Sequence, residues 1–178
     1  MRVIYADPPY PGMARKHYGP NAQEVNHAIL IQGLEENSDG WALSTNSSNL
    51  RHILPLCPDG VRICAWCKPY NAMHQNVSPI HAWEPVIVKP ARAGRASPWF
   101  EGDFIVAMLP AFDNSFNKTP WFSQVHGQKP KKFYMWMFRM LGALPTDEYW
   151  DLFPGSGNGD RYWRQFAAQT KVSDYGHP

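Results

Sequence analysis

No apolar stretch in this 178-residue chain approaches the roughly 18 residues that a membrane span needs. Its opening residues, MRVIYADPPY, also lack the long apolar core and small-residue cleavage site of an export signal. A soluble, cytoplasmic protein is therefore expected. Cysteine is scarce: Cys57, Cys64 and Cys67 are an odd set that should stay reduced, which argues against a disulfide framework. Cys64 and Cys67 form a lone CxxC, but alternation along a strand sends residues three apart to opposite faces. A zinc site would need two further ligands, with only Cys57, His74 and His81 nearby, so no metal is expected. Excess charge of one sign is lacking too, and a net +2 does not mark a nucleic-acid binder by itself. Two phosphate-cradling signatures are absent. The glycines after Asp151 are spaced GxGxG rather than GxGxxG, and no Lys-Ser or Lys-Thr pair follows them, so nicotinamide, flavin and phosphate-loop readings lose support.

What the chain does have is apolar residues, 44% of the total, with 14% aromatic. That is enough to bury one core, and residues 1–178 are read as a single domain. Short apolar, β-branched or aromatic runs of strand length recur: RVIYA (2–6), WALST (41–45), VRICAW (61–66), PVIVK (85–89), FIVAML (104–109) and YWDLF (149–153). Between the first two, Val25, Ile29, Leu30 and Leu34 keep helical spacing, and Asn21 with Glu24 resembles a capping box. Further helices are expected over 47–57, over 131–144 with Phe133, Met137, Met140, Leu141 and Leu144 on one face, and through GDRYWRQFAAQ. Strands alternating with helices predict an α/β domain around a mainly parallel sheet.

Residues 90–128 break that rhythm. This loop-rich insertion scatters Trp99, Phe100, Phe112, Phe116, Trp121 and Phe122 among Pro, Gly, Asn and Ser. From Lys89 to Arg139 eight basic residues face three acids, Glu101, Asp103 and Asp113. Aromatics interleaved with cations can stack bases and follow a phosphate backbone; the alternatives are a solvated face and aromatics that pin the loop to the core.

Two stretches point to chemistry. In an open parallel sheet ligands sit beyond the carboxyl ends of the strands, which is where ADPPY (6–10) follows RVIY. Successive prolines remove two amide donors and leave carbonyl oxygens free, while the Asp7 carboxylate accepts beside them and Tyr10 adds a flat π-face. A planar ring with an exocyclic amino group matches all three features; a rigid Asp-Pro-Pro turn is the alternative. The second stretch, DLFPGSGNGD (151–160), leaves a strand through alternating glycines that let a ligand approach the backbone.

ADPPY, HGQKP (126–130) and DLFPGSG (151–157) together resemble the S-adenosylmethionine-dependent DNA amino-methyltransferases, in the permuted order that puts the catalytic motif before the cofactor motif. The resemblance covers most of the chain. GWALSTNSSNLRHIL looks like the strand and helix after the catalytic loop, VRICAWCKPY like the next strand with its trailing lysine, and HAWEPVIVKPAR like one with a glutamate before an apolar strand. It implies a single, minimal, circularly permuted Rossmann-like methyltransferase domain with 90–128 as target-recognition segment.

The resemblance also implies roles. Asp7 and the Pro8 carbonyl accept hydrogen bonds from the target amine, Pro9 shapes the loop, and Tyr10 stacks on the base. S-adenosylmethionine is held by Asp7, Asp151, Phe153, Gly155, Ser156 and Gly157, with His126, Gln128 and Lys129 closing the site; Arg92, Arg95 and Lys118 are the expected contacts to DNA. An Asp first and a Tyr fourth in the tetrapeptide look like adenine N6 methylation, with flipping of the base out of a duplex. Cytosine N4, RNA adenine and a non-catalytic nucleic-acid-binding module are the alternatives. Beyond the last helix TKVSDYGHP shows no strand pattern and offers only Asp174 as an acid for the cofactor ribose, so a homodimer or partner chain is a candidate to complete the site. The short 90–128 segment implies relaxed sequence specificity, since phosphate contacts give affinity without reading bases. The small chain fits a phage or mobile-element enzyme working in bacterial cytosol. Glu84 is either a brace for the catalytic loop or a plain surface carboxylate.

Overall fold

The computed structural model describes residues 1–15, 19–68, 78–79, 81–108 and 128–169. His126, Lys118 and Asp174 lie outside them. Strand β1 (Arg2–Ala6) is followed by helix α1 (His27–Asn37), β2 (Gly40–Ser44), the short α2 (Leu50–Ile53) between two 3-10 turns, β3 (Arg62–Cys67) and β4 (Trp83–Lys89). Then come β5 (Phe104–Val106), α3 (Lys131–Met140), β6 (Glu148–Asp151) and α4 (Asn158–Gln169). The expected strand runs all form strands, each within a residue or two of its expected bounds except that FIVAML, whose Leu109 lies outside the described residues, pairs over Phe104–Val106.

One six-stranded sheet has the order β5-β3-β4-β2-β1-β6. Strands β1, β2, β3, β5 and β6 run one way and β4 runs against its neighbours β2 and β3. The sheet is therefore mostly parallel, with one reversed strand near its middle that the apolar runs do not announce. Helices cover both faces, which explains why β1 and β2 are buried nearly continuously instead of alternating. On one face Val3, Tyr5, Trp66, Val86 and Val88 pack under α3 and α4, where Phe133, Met137, Phe138 and Phe166 form an aromatic core. On the other, Ile4, Trp41, Leu43 and Ile87 meet Ile31 and Leu34 of α1 and Ile53 of α2.

Helix boundaries differ from expectation at the first helix. It starts at His27 because Asn26, not Asn21, is the cap: its side-chain oxygen accepts from the Ala28 and Ile29 amides. Glu24 cannot close a capping box, since its carboxylate takes the Gly12 amide at 3.0 Å and the Ala14 amide at 3.2 Å. Ile29 lies two residues before Ile31, on the opposite face of the helix, and is 66% exposed, while Ile31 and Leu34 are buried. Helix α3 ends at Met140, earlier than the expected 144, where Gly142 takes a φ of 66°. Among the described residues no helix is long and apolar enough to cross a membrane.

Candidate active site

Parallel pairing of β1 with β6 sets Tyr5 beside Asp151 in register, and the Leu152 amide donates to the Tyr5 carbonyl at 3.0 Å just beyond the last pair. The two strands thus leave the sheet side by side, and ADPPY and DLFPGSG emerge at the same edge. That juxtaposition needs the whole intervening chain to fold back.

Within ADPPY the two prolines are buried, while Asp7 and Tyr10 are partly exposed. Among the described residues nothing donates to the carbonyl of Pro8, the residue after Asp7. Lys129, the residue before the proline that opens α3, lies 2.9 Å from Asp7 Oδ2 with its side chain only 4% exposed. The same ammonium lies 3.5 Å from Glu84 Oε1. Glu84 stands near the start of β4, and because β4 is reversed its beginning reaches the edge where β1 and β3 end. The Tyr10 hydroxyl donates to Glu84 Oε1, and the Lys68 ammonium, just past β3, lies 2.8 Å from Oε2. Two lysines, two carboxylates and a tyrosine form one compact, charge-balanced cluster.

Burial pushes the Asp7 carboxyl up, against the pull of Lys129, and the Glu84 charge pushes it further. Glu84 shows the opposite outcome: burial alone would raise it, but the Lys129 and Lys68 ammoniums bring it down to about 2. Lys129 is buried, yet the Asp7 and Glu84 carboxylates more than offset that cost and hold it charged.

The glycine turn is built from its carboxylate upward. Asp151 Oδ1 accepts the Phe153 amide at 3.1 Å, which bends the chain off β6. Gly155 and Gly157 have φ of 46° and 73°, the left-handed region that glycine tolerates best. A Cβ on Gly157 would meet nothing within 4 Å, so the turn borders open space, whereas one on Gly159 would collide with Asp151 Oδ2. Burial raises Asp151 to about 6, with the Asp7 charge adding to the rise. At the start of α4 the Asn158 side-chain nitrogen is buried with no partner among the described residues.

Asp7, Pro8, Pro9, Tyr10, Lys129, Asp151, Phe153, Gly155, Ser156 and Gly157 therefore share the carboxyl edge of β1 and β6, with Gln128 next to Lys129 in sequence. Glu84 is the brace rather than the surface carboxylate: it is 8% exposed. Lys68 had no assigned role; its only signal was its place directly after a strand. Arg92 and Arg95 lie elsewhere. Following β4 away from Glu84 leads to Lys89, which pairs with Trp41 at the start of β2, so the residues beyond it sit at the opposite edge. There Arg92 grips Asp147 with both guanidinium nitrogens, at 2.5 and 2.9 Å, and donates to the Gly142 carbonyl. That places Arg92 and Arg95 at the edge opposite Asp7. A cavity of about 430 Å³ at that edge is walled by Val88, Pro90, Trp99 and Phe100. Among its arginines Arg62 and Arg139 are paired with Asp103 and Glu101, while Arg95 has no ion-pair partner among the described residues.

A mostly parallel sheet with helices on both faces and a site at the carboxyl ends of adjacent strands is a Rossmann-like α/β arrangement. The chain shares its fold with M1.HpyAVI, solved as a complex with SAM: the TM-score is 0.55 at 14% identity, over 93% of this chain and 78% of that one. No protein-family model matches the chain, and no curated protein matches it.

Proposed function

We propose that this chain is an S-adenosylmethionine-dependent methyltransferase acting on the exocyclic N6 amino group of adenine in DNA. The observation that carries the proposal is the pairing of acceptors at the end of β1: the Asp7 carboxylate and the unclaimed Pro8 carbonyl, next to the glycine turn of β6. An aromatic amine is a poor nucleophile because its lone pair is delocalised into the ring. Two acceptors draw its protons and concentrate the pair on nitrogen, and Tyr10 offers a face to hold the ring.

The cofactor fits the residues present. Asp7 and Asp151 are two carboxylates at one strand edge, suited to a ligand that carries a sulfonium and an ammonium. Gly157 borders space that a side chain would fill, and the Asn158 nitrogen is a buried donor still lacking an acceptor. Phe153, Gly155, Ser156 and Gly157 would line it, and His126, Gln128 and Lys129 would close over it. When bound, S-adenosylmethionine supplies a methyl group on sulfur, which passes to the amine lone pair while the carbon–sulfur pair stays on sulfur. The amine's surplus proton goes to Asp7, whose raised affinity for protons suits that task. Positioning supplies much of the remaining rate. The order of the two motifs along the chain, catalytic before cofactor, agrees with a circularly permuted, minimal enzyme.

The test is transfer of a labelled methyl group from S-adenosylmethionine to double-stranded DNA, single-stranded DNA and RNA, with nucleosides identified by mass spectrometry and Asp7→Ala alongside. N6-methyladenine in DNA that vanishes in the variant is the expected result. N4-methylcytosine or an RNA-only product overturns the substrate, and no product on any polymer overturns the activity.

A further inference from the structure

Pro8 and Pro9 fix the backbone of the catalytic loop, but the side chains of Asp7 and Tyr10 still turn about their own bonds. Something must hold them. Glu84 reaches both: Tyr10 directly through its hydroxyl, and Asp7 through the shared Lys129 ammonium. Its second oxygen is fixed by Lys68 at 2.8 Å. Side-chain exposure of the charged groups follows this order, with Lys129 at 4%, Glu84 at 11%, Lys68 at 20% and Asp7 at 27%. The most open of these four charged groups is thus the one that would meet substrate, and the most buried is the cation between the two carboxylates. A carboxylate buried on a strand costs several kcal/mol unless it is paired, and Glu84 is ion-paired on both oxygens, Oε2 with Lys68 and Oε1 with Lys129, while Oε1 also accepts the Tyr10 hydroxyl.

We propose that Glu84 is the positioning residue of this site: it fixes the Tyr10 ring and, by sharing the Lys129 ammonium with Asp7, leaves Asp7 able to take up the amine proton. The assignment rests on the methyl-transfer reading and adds to it a residue from the reversed strand. An ammonium whose charge is divided between two carboxylates neutralises neither fully. Without the Glu84 charge, Lys129 would serve Asp7 alone and make it a weaker base. The pH behaviour of Asp7 is set by groups from every neighbouring element. Lys129 and Tyr134 face it from the start and first turn of α3, Glu84 from β4 and Lys68 from the end of β3. Tyr5 of β1, Tyr10 of the loop and Asp151 of β6 complete its surroundings. Glu84→Gln removes one negative charge and leaves the others in place.

The test is a carbon-13 titration of the Asp7 carboxyl in the unliganded full chain, wild type against Glu84→Gln, followed by the pH profile of kcat. The expected result is an Asp7 midpoint at lower pH in Glu84→Gln. The acid limb of kcat should shift the same way, and kcat at its plateau should fall about 100-fold from misplacement of Tyr10, with KM for S-adenosylmethionine unchanged. An unmoved midpoint in a folded variant overturns the assignment even if the wild type methylates DNA. Should Glu84→Gln not fold, Lys68→Met gives the opposite sign. Glu84 then draws Lys129 toward itself and the Asp7 midpoint rises; no rise overturns the assignment. If the wild type transfers no methyl to any polymer, the methyl-transfer reading fails separately, and the titration alone decides whether Glu84 governs Asp7.

Discussion

Lys129 Nζ lies 2.9 Å from Asp7 Oδ2 across 122 residues of sequence, and the ammonium is nearly sealed from solvent. The Lys129 ammonium pulls the Asp7 carboxyl down, against a burial that pushes it up. In Lys129→Met two carboxylates are left sharing Lys68 alone. Methyl transfer at neutral pH should fall at least about 100-fold, and part of it should return at higher pH. The sign follows from Asp7: losing a cation raises its carboxyl further, so the ionised form appears only as pH climbs. A pH profile of kcat checks this, and equal loss at every pH would count against it.

Tyr10 has two separable features, a ring for stacking and a hydroxyl tied to Glu84. Tyr10→Ala should cost about 1–3 kcal/mol of affinity for an oligonucleotide, the value of one stacked base. Tyr10→Phe keeps the ring, so its Kd should stay near wild type while kcat drops. Anisotropy titrations with a labelled oligonucleotide, set against single-turnover rates, separate the two effects.

Arg92 is tied into the fold through Asp147. Its guanidinium and the Asp147 carboxylate are 16% and 2% exposed, and removing one partner of such a pair costs about 3–5 kcal/mol. Arg92→Ala should unfold at clearly lower urea while the DNA Kd of the remaining folded protein is unchanged. A weakened Kd with unaltered stability would restore the expectation that it touches DNA.

Stability should carry two opposite pH signatures at the site. Glu84 is held at about 2 against an ordinary 4.5, so its contribution is present above pH 4.5 and lost as pH falls toward 2. Asp151 is raised to about 6 from 3.8, so its contribution is full below pH 3.8 and is lost as pH rises through 6. Asp151→Asn keeps an acceptor for the Phe153 amide and removes the strained charge. The variant should therefore resist urea better than wild type at pH 7.5, with little difference at pH 4, yet bind S-adenosylmethionine more weakly by calorimetry. A functional site commonly gives up stability in this way.

Strand positions and the two chemical stretches were legible because their signals are local. Apolar runs such as RVIYA and PVIVK mark strands wherever they lie, and the prolines of ADPPY and the glycines of DLFPGSG restrict the backbone irrespective of what surrounds them. The start of α1 was misread because capping depends on where Glu24 spends its carboxylate, and that is on the Gly12 and Ala14 amides across a turn.

The sequence by itself determined that two acceptor-rich and glycine-rich turns follow apolar strands in a mixed α/β chain. Only the tertiary structure decided that β6 lies beside β1, bringing those turns to one edge, and that β4 runs backwards. The physical reason is that periodicity reports which face of a strand is buried, not its direction or its neighbours. The reversal of β4 sends its start, with Glu84, to the ADPPY loop and its end, toward Arg92, to the far edge. Two residues eight apart in sequence thereby acquired unrelated tasks, Glu84 holding Tyr10 and Lys129 and Arg92 holding Asp147.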